Sequence, residues 1–218
     1  MTDTNTQISD DFRFINEIYR KSVHLSVLLI PLTYHWLKFD LWVIQMTLVG
    51  ILLILIPIEI YRLKFNPSTW INNLTRQAEK TEPANYVLTT TGWVIVMLGA
   101  NLFYPIEIAE LAIVSTHLGD SAAALIGRGI GKRKLPFTER KTIEGYIAGV
   151  VGTYLIGFIF LILIGNPSFF LPLLPTLVLG IFDFFEDLPY WAADNIFHPI
   201  LTVFLAFFMG IFGFNLYT

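Results

Sequence analysis

Seven apolar stretches, each near the length of a membrane-spanning helix, dominate this sequence. They cover residues 22–38, 41–61, 86–103, 106–126, 143–164, 169–184 and 198–216. A helix needs roughly 20 apolar residues to cross the hydrocarbon core, and backbone groups in lipid must form hydrogen bonds within their own segment. The sequence therefore predicts an all-α fold, a polytopic membrane helical bundle of about seven transmembrane helices.

Composition excludes an ordinary soluble domain. Of the 218 residues, 55% are hydrophobic and only 14% are charged, whereas soluble domains carry about a quarter charged residues. The chain has no cysteine, so disulfide bonds are excluded. We expect a single integral membrane domain over 1–218, in which 1–20 form a polar cytoplasmic segment without the residue order of a signal peptide.

The positions of lysine and arginine predict the orientation in the membrane. With seven spans, all of the 14 except Lys38 fall on one side. Because positive loops stay in the cytoplasm, we predict that the N-terminus, the connection 63–85 and the loop 127–141 are cytoplasmic, and that the C-terminus is outside. The segment 183–199 falls on the cytoplasmic side too, and it has several carboxylates but no lysine or arginine.

An acidic segment that faces a basic loop suits a metal-bound polyphosphate. Magnesium takes a few carboxylate oxygens and shares the phosphate oxygens, while lysine and arginine neutralise the remaining charge. Chance exclusion of acids from the basic loops explains the same pattern equally well. On charge alone, the two explanations stay open.

Asp120 is the sharpest single signal. It lies about six residues, roughly 9 Å, inside the cytoplasmic end of the fourth span, where ionisable side chains are costly and usually mark function. Helical spacing places Thr116, Ala123 and Gly127 on its face, and small residues permit close approach of a helix or ligand. The structural alternatives are a side chain that snorkels to the interface, or a pair with Arg128.

The loop after Asp120 combines glycine with positive charge. Its glycines, Gly127, Gly129 and Gly131, alternate with the basic residues Arg128 and Lys132. Glycine lets backbone amides turn toward a phosphate, although the spacing is not that of a Walker loop. A basic loop at a membrane surface also suits a contact with anionic lipid.

The fifth span opens with a lysine and a glutamate at helical spacing. Lys141 and Glu144 are neighbours at i, i+3, for which a helix-start ion pair is the structural explanation. Gly145 and Gly149 form a G-x-x-x-G pattern, which predicts tight packing against another span.

Polar residues also mark the start of the first span. Arg20, Lys21 and His24 enter it together, as in a positively charged anchor or lipid contact at the interface. The other histidines are His35, His117 and His198. They are not at metal-ligand spacing, and without cysteine we expect no zinc site.

Four short motifs follow one another along the chain. They are RKSVH (20–24), GDSAAALIGRGIGKRKLP (119–136), KTIEG (141–145), and Glu186 followed by DNIFHP (194–199). Together they resemble the dolichol kinase, phytol kinase and CTP-dependent diacylglycerol kinase family of integral membrane lipid kinases. The resemblance runs from Arg20 to Pro199, and the second and third motifs are its most specific part.

This resemblance implies transfer of the CTP γ-phosphate to the hydroxyl of a membrane lipid, with a divalent metal such as Mg²⁺. It implies that Asp120 binds the metal or activates the hydroxyl. Glu144, Glu186 and Asp194 are further candidates for the base, and Asp194 is also a candidate metal ligand. The residues implied for nucleotide binding are Gly127, Arg128, Gly131, Lys132, Lys141 and Asn195. The acceptor class stays open among diacylglycerol, a polyprenol such as dolichol, phytol and similar isoprenoid alcohols.

Two alternatives accompany this hypothesis. A CDP-lipid synthase would also use CTP at a membrane, but the chain lacks the proline-glycine-histidine-glycine-glycine run and following aspartate-arginine of phosphatidate cytidylyltransferases, which favours the kinase. A small membrane transporter or scaffold would also explain an acid within a span. No nucleic-acid partner is expected.

The predicted topology can be mapped directly, because the chain contains no cysteine that would have to be removed first. Single cysteines within 128–141 and within 183–199 are expected to react with an impermeant maleimide from the same, cytoplasmic side of the membrane. A cysteine in place of Lys38 should react from the other side. Labelling of the first two regions from opposite sides would exclude a shared pocket.

Overall fold

The computed structural model describes residues 21, 24–65, 85–136, 138, 141–184 and 194–212, without the side chains of 85, 194 and 195. Within these residues the protein forms seven helices and no strand. They are α1 (Leu25–Trp36), α2 (Leu41–Phe65), α3 (Asn85–Gly99), α4 (Ile106–Gly129), α5 (Ile143–Leu163), α6 (Leu173–Phe182) and α7 (Asp194–Ile211). The all-helical prediction is confirmed, and each predicted apolar stretch contains one helix.

Two of these helices, α2 and α5, are long and apolar enough to cross a membrane by length and composition. The helices α1, α3, α6 and α7 are also apolar over most of their length, but their apolar parts are shorter. Along α2 large apolar side chains point outward, and Leu53 and Ile54 are each 64% exposed. A helix that is apolar all round is normally covered by protein or by lipid, and here the other helices cover little of it.

The helix α4 occupies the centre of the fold. It contacts α3, α5, α6, α7 and the first turn of α1, and its side chains from Ile106 to His117 are buried with a single partial exception at Glu107. Met97 of α3 and Leu161 of α5 are among the apolar side chains that pack in the same core. Because protein surrounds α4, it can carry polar residues that a lipid-facing helix would not tolerate.

The close contact between α4 and α5 depends on residues without bulky side chains. A Cβ atom on Gly145 would lie 2.8 Å from the carbonyl oxygen of Ala123 and 2.8 Å from the Cα atom of Gly127. A Cβ atom on Gly149 would meet the Ala123 side chain at 2.9 Å. The predicted packing of the G-x-x-x-G pattern against another helix is therefore confirmed, and the partner is α4.

The first helix is irregular. It begins with a 3₁₀ turn, continues through one α-helical turn that ends at Pro31, and finishes as a π-helical turn over Leu32–Trp36. Proline removes a backbone donor and disturbs the preceding turn of a helix. The π turn presents His35, whose Nε2 atom lies 2.6 Å from Oε2 of the fully buried Glu110 on α4.

A buried ion pair within α2 is linked to α3 by a hydrogen bond from Tyr86. The guanidinium of Arg62 donates to both carboxylate oxygens of Glu59, at 2.8 and 2.6 Å, and the hydroxyl of Tyr86 donates to the same carboxylate at 2.6 Å. Bidentate geometry with an added hydrogen bond compensates the loss of water around both charges. The pair therefore fixes α2 against α3 near one end of the bundle.

The α4–α5 contact predicts that Gly145→Ala destabilises the protein by about 1–3 kcal/mol, the usual cost of overpacking. The two nearest atoms that the new methyl group would meet, at 2.8 Å, belong to backbone, so they cannot swing aside. Thermal unfolding of the purified protein in detergent measures the effect. Gly50→Ala on α2 is the matched control, since nothing lies within 4 Å of its added Cβ atom. Equal unfolding temperatures for the two variants would contradict this packing.

Candidate functional site

The carboxylate of Asp120 is paired with a lysine from the beginning of the chain. The ammonium of Lys21, four residues before α1, donates to Oδ2 of Asp120 on α4, although 99 positions separate them in sequence. The side chain of Lys21 is 5% exposed and that of Asp120 is 26% exposed. The cation is therefore covered by protein, while part of the carboxylate stays open to a reactant.

His24 completes this group. Its Nδ1 atom lies 3.8 Å from Oδ2 of Asp120, beyond hydrogen-bond distance but close enough for electrostatic attraction if the ring is charged. Lys21 and His24 are three positions apart in the chain, and both lie beside the same carboxylate oxygen of Asp120. The first and second sequence motifs, which lie far apart along the chain, thus meet at Asp120.

Two buried aromatic side chains stand behind His24. The ring of His117 on α4 contacts that of His24 edge to face, with centroids 5.5 Å apart. Trp93 on α3 also contacts His117 edge to face, with ring centroids 5.4 Å apart. Its indole N–H donates to Nε2 of His117 at 3.1 Å. On the opposite edge of the ring, Nδ1 of His117 lies 2.7 Å from the carbonyl oxygen of Ile113.

Buried hydroxyl groups near Asp120 have unused hydrogen-bonding capacity. Thr116, one turn before Asp120, is 1% exposed, and Thr153 of α5, which packs against Gly119, is fully buried. Neither hydroxyl has a hydrogen-bond partner among the described residues. An unsatisfied buried polar group costs about 1–3 kcal/mol, so water or a bound polar group is expected beside it.

The loop after α4 is held by the first turn of α5. Thr142 caps this helix by accepting the N–H of Gly145 at 3.2 Å. Oε2 of Glu144 accepts the backbone N–H groups of Lys132 and Arg133, both at 3.2 Å. These adjacent amides form the kind of concave donor pair that binds anions, and in this structure the anion is the Glu144 carboxylate.

The same loop contacts the end of α6. The ammonium of Lys141 donates to the backbone oxygen and to Oδ1 of Asp183, at 2.9 and 3.0 Å. Asp183 is the first residue of the acidic segment 183–199. The basic loop and the start of the acidic segment therefore meet at one end of the bundle, as the sequence predicted.

The structure brings some predicted site residues together and separates others. Lys21, His24 and Asp120 form one cluster. Lys141 and Glu144 do not form the expected pair with each other, because Asp183 and the backbone amides of the loop are their partners.

The predicted loop boundary was wrong by three residues, since α4 continues to Gly129. Gly127 and Arg128 lie in its last turn, where Gly127 packs against Gly145 instead of shaping a loop. Gly131 and the exposed Lys132 do lie in the loop. Asp194 and Asn195 begin α7, but their side chains, like all of Arg20 and Glu186, fall outside the described residues.

The fit of a divalent metal rests on Asp120. Among the described residues there is no group of three or more histidine, aspartate or glutamate side chains placed to hold a metal ion. Magnesium, however, is commonly held by one or two carboxylates together with phosphate oxygens of the substrate. The partly open Asp120 carboxylate suits that mode, and it does not suit a closed all-protein metal site.

Sequence reasoning missed the roles of His117 and Trp93. His117 was considered only as a metal ligand and set aside on spacing. His117 lies three residues before Asp120, so the two side chains are neighbours on one helix. This spacing alone could have indicated that His117 lies near Asp120. Nothing in the local sequence of α3 indicates that Trp93 reaches the same place.

Comparison with known families gives one match. A family model described as the cytidylyltransferase family matches residues 6–213, nearly the whole chain. No curated protein and no solved structure matched the chain.

Removal of one partner from the Lys21–Asp120 pair is expected to destabilise the protein. Lys21→Met should cost about 3 kcal/mol, the low end for a broken buried pair, because Asp120 is 26% exposed. The double variant Lys21→Met/Asp120→Asn should recover most of the loss, since no uncompensated charge remains. Denaturant or thermal unfolding in one detergent compares the unaltered protein with the single and the double variant. Lys64→Met, at an exposed lysine, is the control. A double variant less stable than Lys21→Met would contradict the pairing.

Proposed function

The chain belongs to the cytidylyltransferase family, which includes members of the dolichol and polyprenol kinase type, and on this premise we propose that it is a CTP-dependent lipid kinase. It would transfer the γ-phosphate of CTP to the hydroxyl of a membrane lipid alcohol. The acceptor class comprises diacylglycerol, polyprenols such as dolichol, phytol and similar isoprenoid alcohols. Family membership supports a CTP-related lipid enzyme, and the choice of kinase is our inference.

One observation carries this proposal: Lys21, His24 and Asp120 meet at one point of a largely apolar bundle. Phosphoryl transfer demands little covalent chemistry from the protein and depends on positioning and on neutralising charge. A lysine beside a partly exposed carboxylate supplies both signs of charge at one point. Within apolar surroundings such groups act more strongly on a reactant than they would in water.

The proposed reaction balances as follows. The lipid hydroxyl oxygen forms a bond to the γ-phosphorus, the bond from that phosphorus to the β–γ bridging oxygen breaks, and CDP leaves with the electron pair. A carboxylate takes the hydroxyl proton. We assign Asp120 to the reacting centre and keep Glu186 and Asp194, on the acidic segment, as the further candidates for base, with Asp194 also for metal.

A bound Mg²⁺ would supply charge neutralisation between the phosphates and the carboxylates. Asp120 and Asp194 would hold it. Lys21, beside Asp120, would be available to a phosphate oxygen. The hydrogen bonds of Glu144 to the loop favour a role in fixing loop shape over the catalytic role inferred from sequence.

The triphosphate would be held by the positive loop. The proposed contacts are Gly127, Arg128, Gly131, Lys132, Lys141 and Asn195. The link from Lys141 to Asp183 supports this arrangement, because it keeps the basic loop beside the acidic segment. A phosphate that reached Lys141 would compete with Asp183 for the same ammonium group.

We further propose that the bundle crosses the membrane seven times, with the N-terminus and the reaction centre on the cytoplasmic face. The exposed apolar surface supports this placement: side chains such as Leu102, Leu163 and Phe212 are 76%, 63% and 74% exposed. Surfaces of this kind are rare on soluble proteins and need a lipid or protein cover. A lipid alcohol in the same layer would reach the bundle without leaving the membrane.

The second candidate is a CDP-lipid synthase, which the description of the matching family favours. In that reaction a lipid phosphate would attack the α-phosphorus of CTP and release pyrophosphate. Purified protein incubated with Mg²⁺, the alcohol panel or phosphatidate, and CTP labelled at one position distinguishes the two. Label from the γ-phosphate appears in lipid for the kinase, and label from the α-phosphate appears in lipid for the synthase. A transporter or scaffold would transfer neither.

Asp120→Asn is expected to lower the rate of label transfer at least about 100-fold, since a group at the reacting centre typically contributes that much. The variant keeps the size of the side chain and an acceptor for Lys21, but it leaves the buried ammonium without a counter-charge, so its thermal unfolding is measured beside its activity. Asp40→Asn, in the exposed connection between α1 and α2, is the matched control and should keep full activity. Equal activity of both variants would remove Asp120 from the reaction.

A further inference from the structure

We propose that Trp93 and His117 are positioning residues that hold His24 beside Asp120. The inference rests on the proposed function for its catalytic consequence, but its geometry rests on three successive contacts among four side chains. Trp93 on α3 contacts His117 on α4, His117 contacts His24 before α1, and His24 lies beside Asp120.

The hydrogen bonds of His117 fix its ring in one state. An indole N–H can only donate, so Nε2 of His117, 3.1 Å from Trp93, accepts and carries no proton. The proton therefore sits on Nδ1 and is donated to the carbonyl oxygen of Ile113 at 2.7 Å. With both nitrogens engaged, the ring cannot rotate without breaking two bonds, and it cannot serve as a proton carrier.

Burial makes this fixed ring a rigid support. His117 is fully buried and Trp93 is 8% exposed, so a broken hydrogen bond could not be replaced by solvent and would cost about 1–3 kcal/mol. The edge-to-face contact at 5.5 Å then restricts the ring of His24. Aromatic contacts of this geometry contribute about 0.5–1.5 kcal/mol beyond simple burial.

A position held in this way matters because His24 and Lys21 are three positions apart in the chain and both lie beside Oδ2 of Asp120. A shift of His24 would move the Lys21 ammonium away from Asp120 as well. Displacement of a reacting group by about 1 Å can cost about 100-fold in rate. Trp93 and His117 would thus affect the reaction without touching a reactant.

Two variants separate the hydrogen bond from the ring contact. Trp93→Phe keeps an aromatic ring but removes the donor to His117. His117→Gln keeps an acceptor for Trp93 but removes the ring that contacts His24. Each is expected to lower kcat for label transfer from CTP about 10- to 100-fold and to leave the KM for CTP within about twofold. Trp42→Phe, at a 63% exposed tryptophan on α2, is the matched control and should change neither constant.

A second measurement does not depend on activity. Carbethoxylation of histidine by diethyl pyrocarbonate, followed by mass spectrometry of each histidine, reports how well His24 is covered. In the unaltered protein His24, 4% exposed, should react slowly. In both variants the reaction rate of His24 should rise about 3- to 10-fold. His35 is hydrogen-bonded to Glu110, ten residues before Asp120, and its rate should stay unchanged if the fold is intact.

The outcomes are distinct. A fall in kcat together with a faster reaction at His24 alone supports the proposal. An unchanged rate at His24 in both folded variants overturns it, whatever the activity. If the unaltered protein transfers no label from CTP, the proposed function fails, and the modification rates still decide whether Trp93 and His117 position His24. A variant in which every histidine becomes reactive has lost its fold, and the other variant then decides.

Discussion

A carboxylate within an apolar bundle needs a compensating charge, and the rest of this structure is arranged around that requirement. Asp120 obtains its compensation from Lys21, which is covered by protein and comes from the far end of the chain. Removal of either charge alone would leave the other in poorly solvated surroundings. The pair therefore ties Lys21, just before α1, to α4 and places a cation beside the Asp120 carboxylate.

Small residues make that arrangement possible. Gly145 and Gly149 allow the backbone of α5 to approach α4 at Ala123 and Gly127, so the helix that carries Asp120 is enclosed without large side chains filling the space near it. The unused hydroxyls of Thr116 and Thr153 lie along the same helix pair. Among the described residues neither hydroxyl has a hydrogen-bond partner, so each can bind water or another polar group.

The two charged regions of the predicted cytoplasmic face are linked through Lys141 and Asp183. Glu144 holds the loop from the other side by accepting two backbone amides. The loop that the sequence predicts as a phosphate or anionic-lipid contact is held by carboxylates of the chain itself. An incoming polyphosphate would replace interactions of the same chemical kind, which lowers the cost of reorganising the loop.

The sequence by itself determined the helices, because long apolar runs form helices in lipid. It predicted a function for Asp120, because an acid within such a run is costly. It also determined that Gly145 and Gly149 face another helix. Only the tertiary structure decided which residues share a site. Pairing of Lys21 with Asp120, of Lys141 with Asp183 and of Trp93 with His117 depends on how separate helices pack, and no local pattern encodes contacts between residues so far apart in the chain.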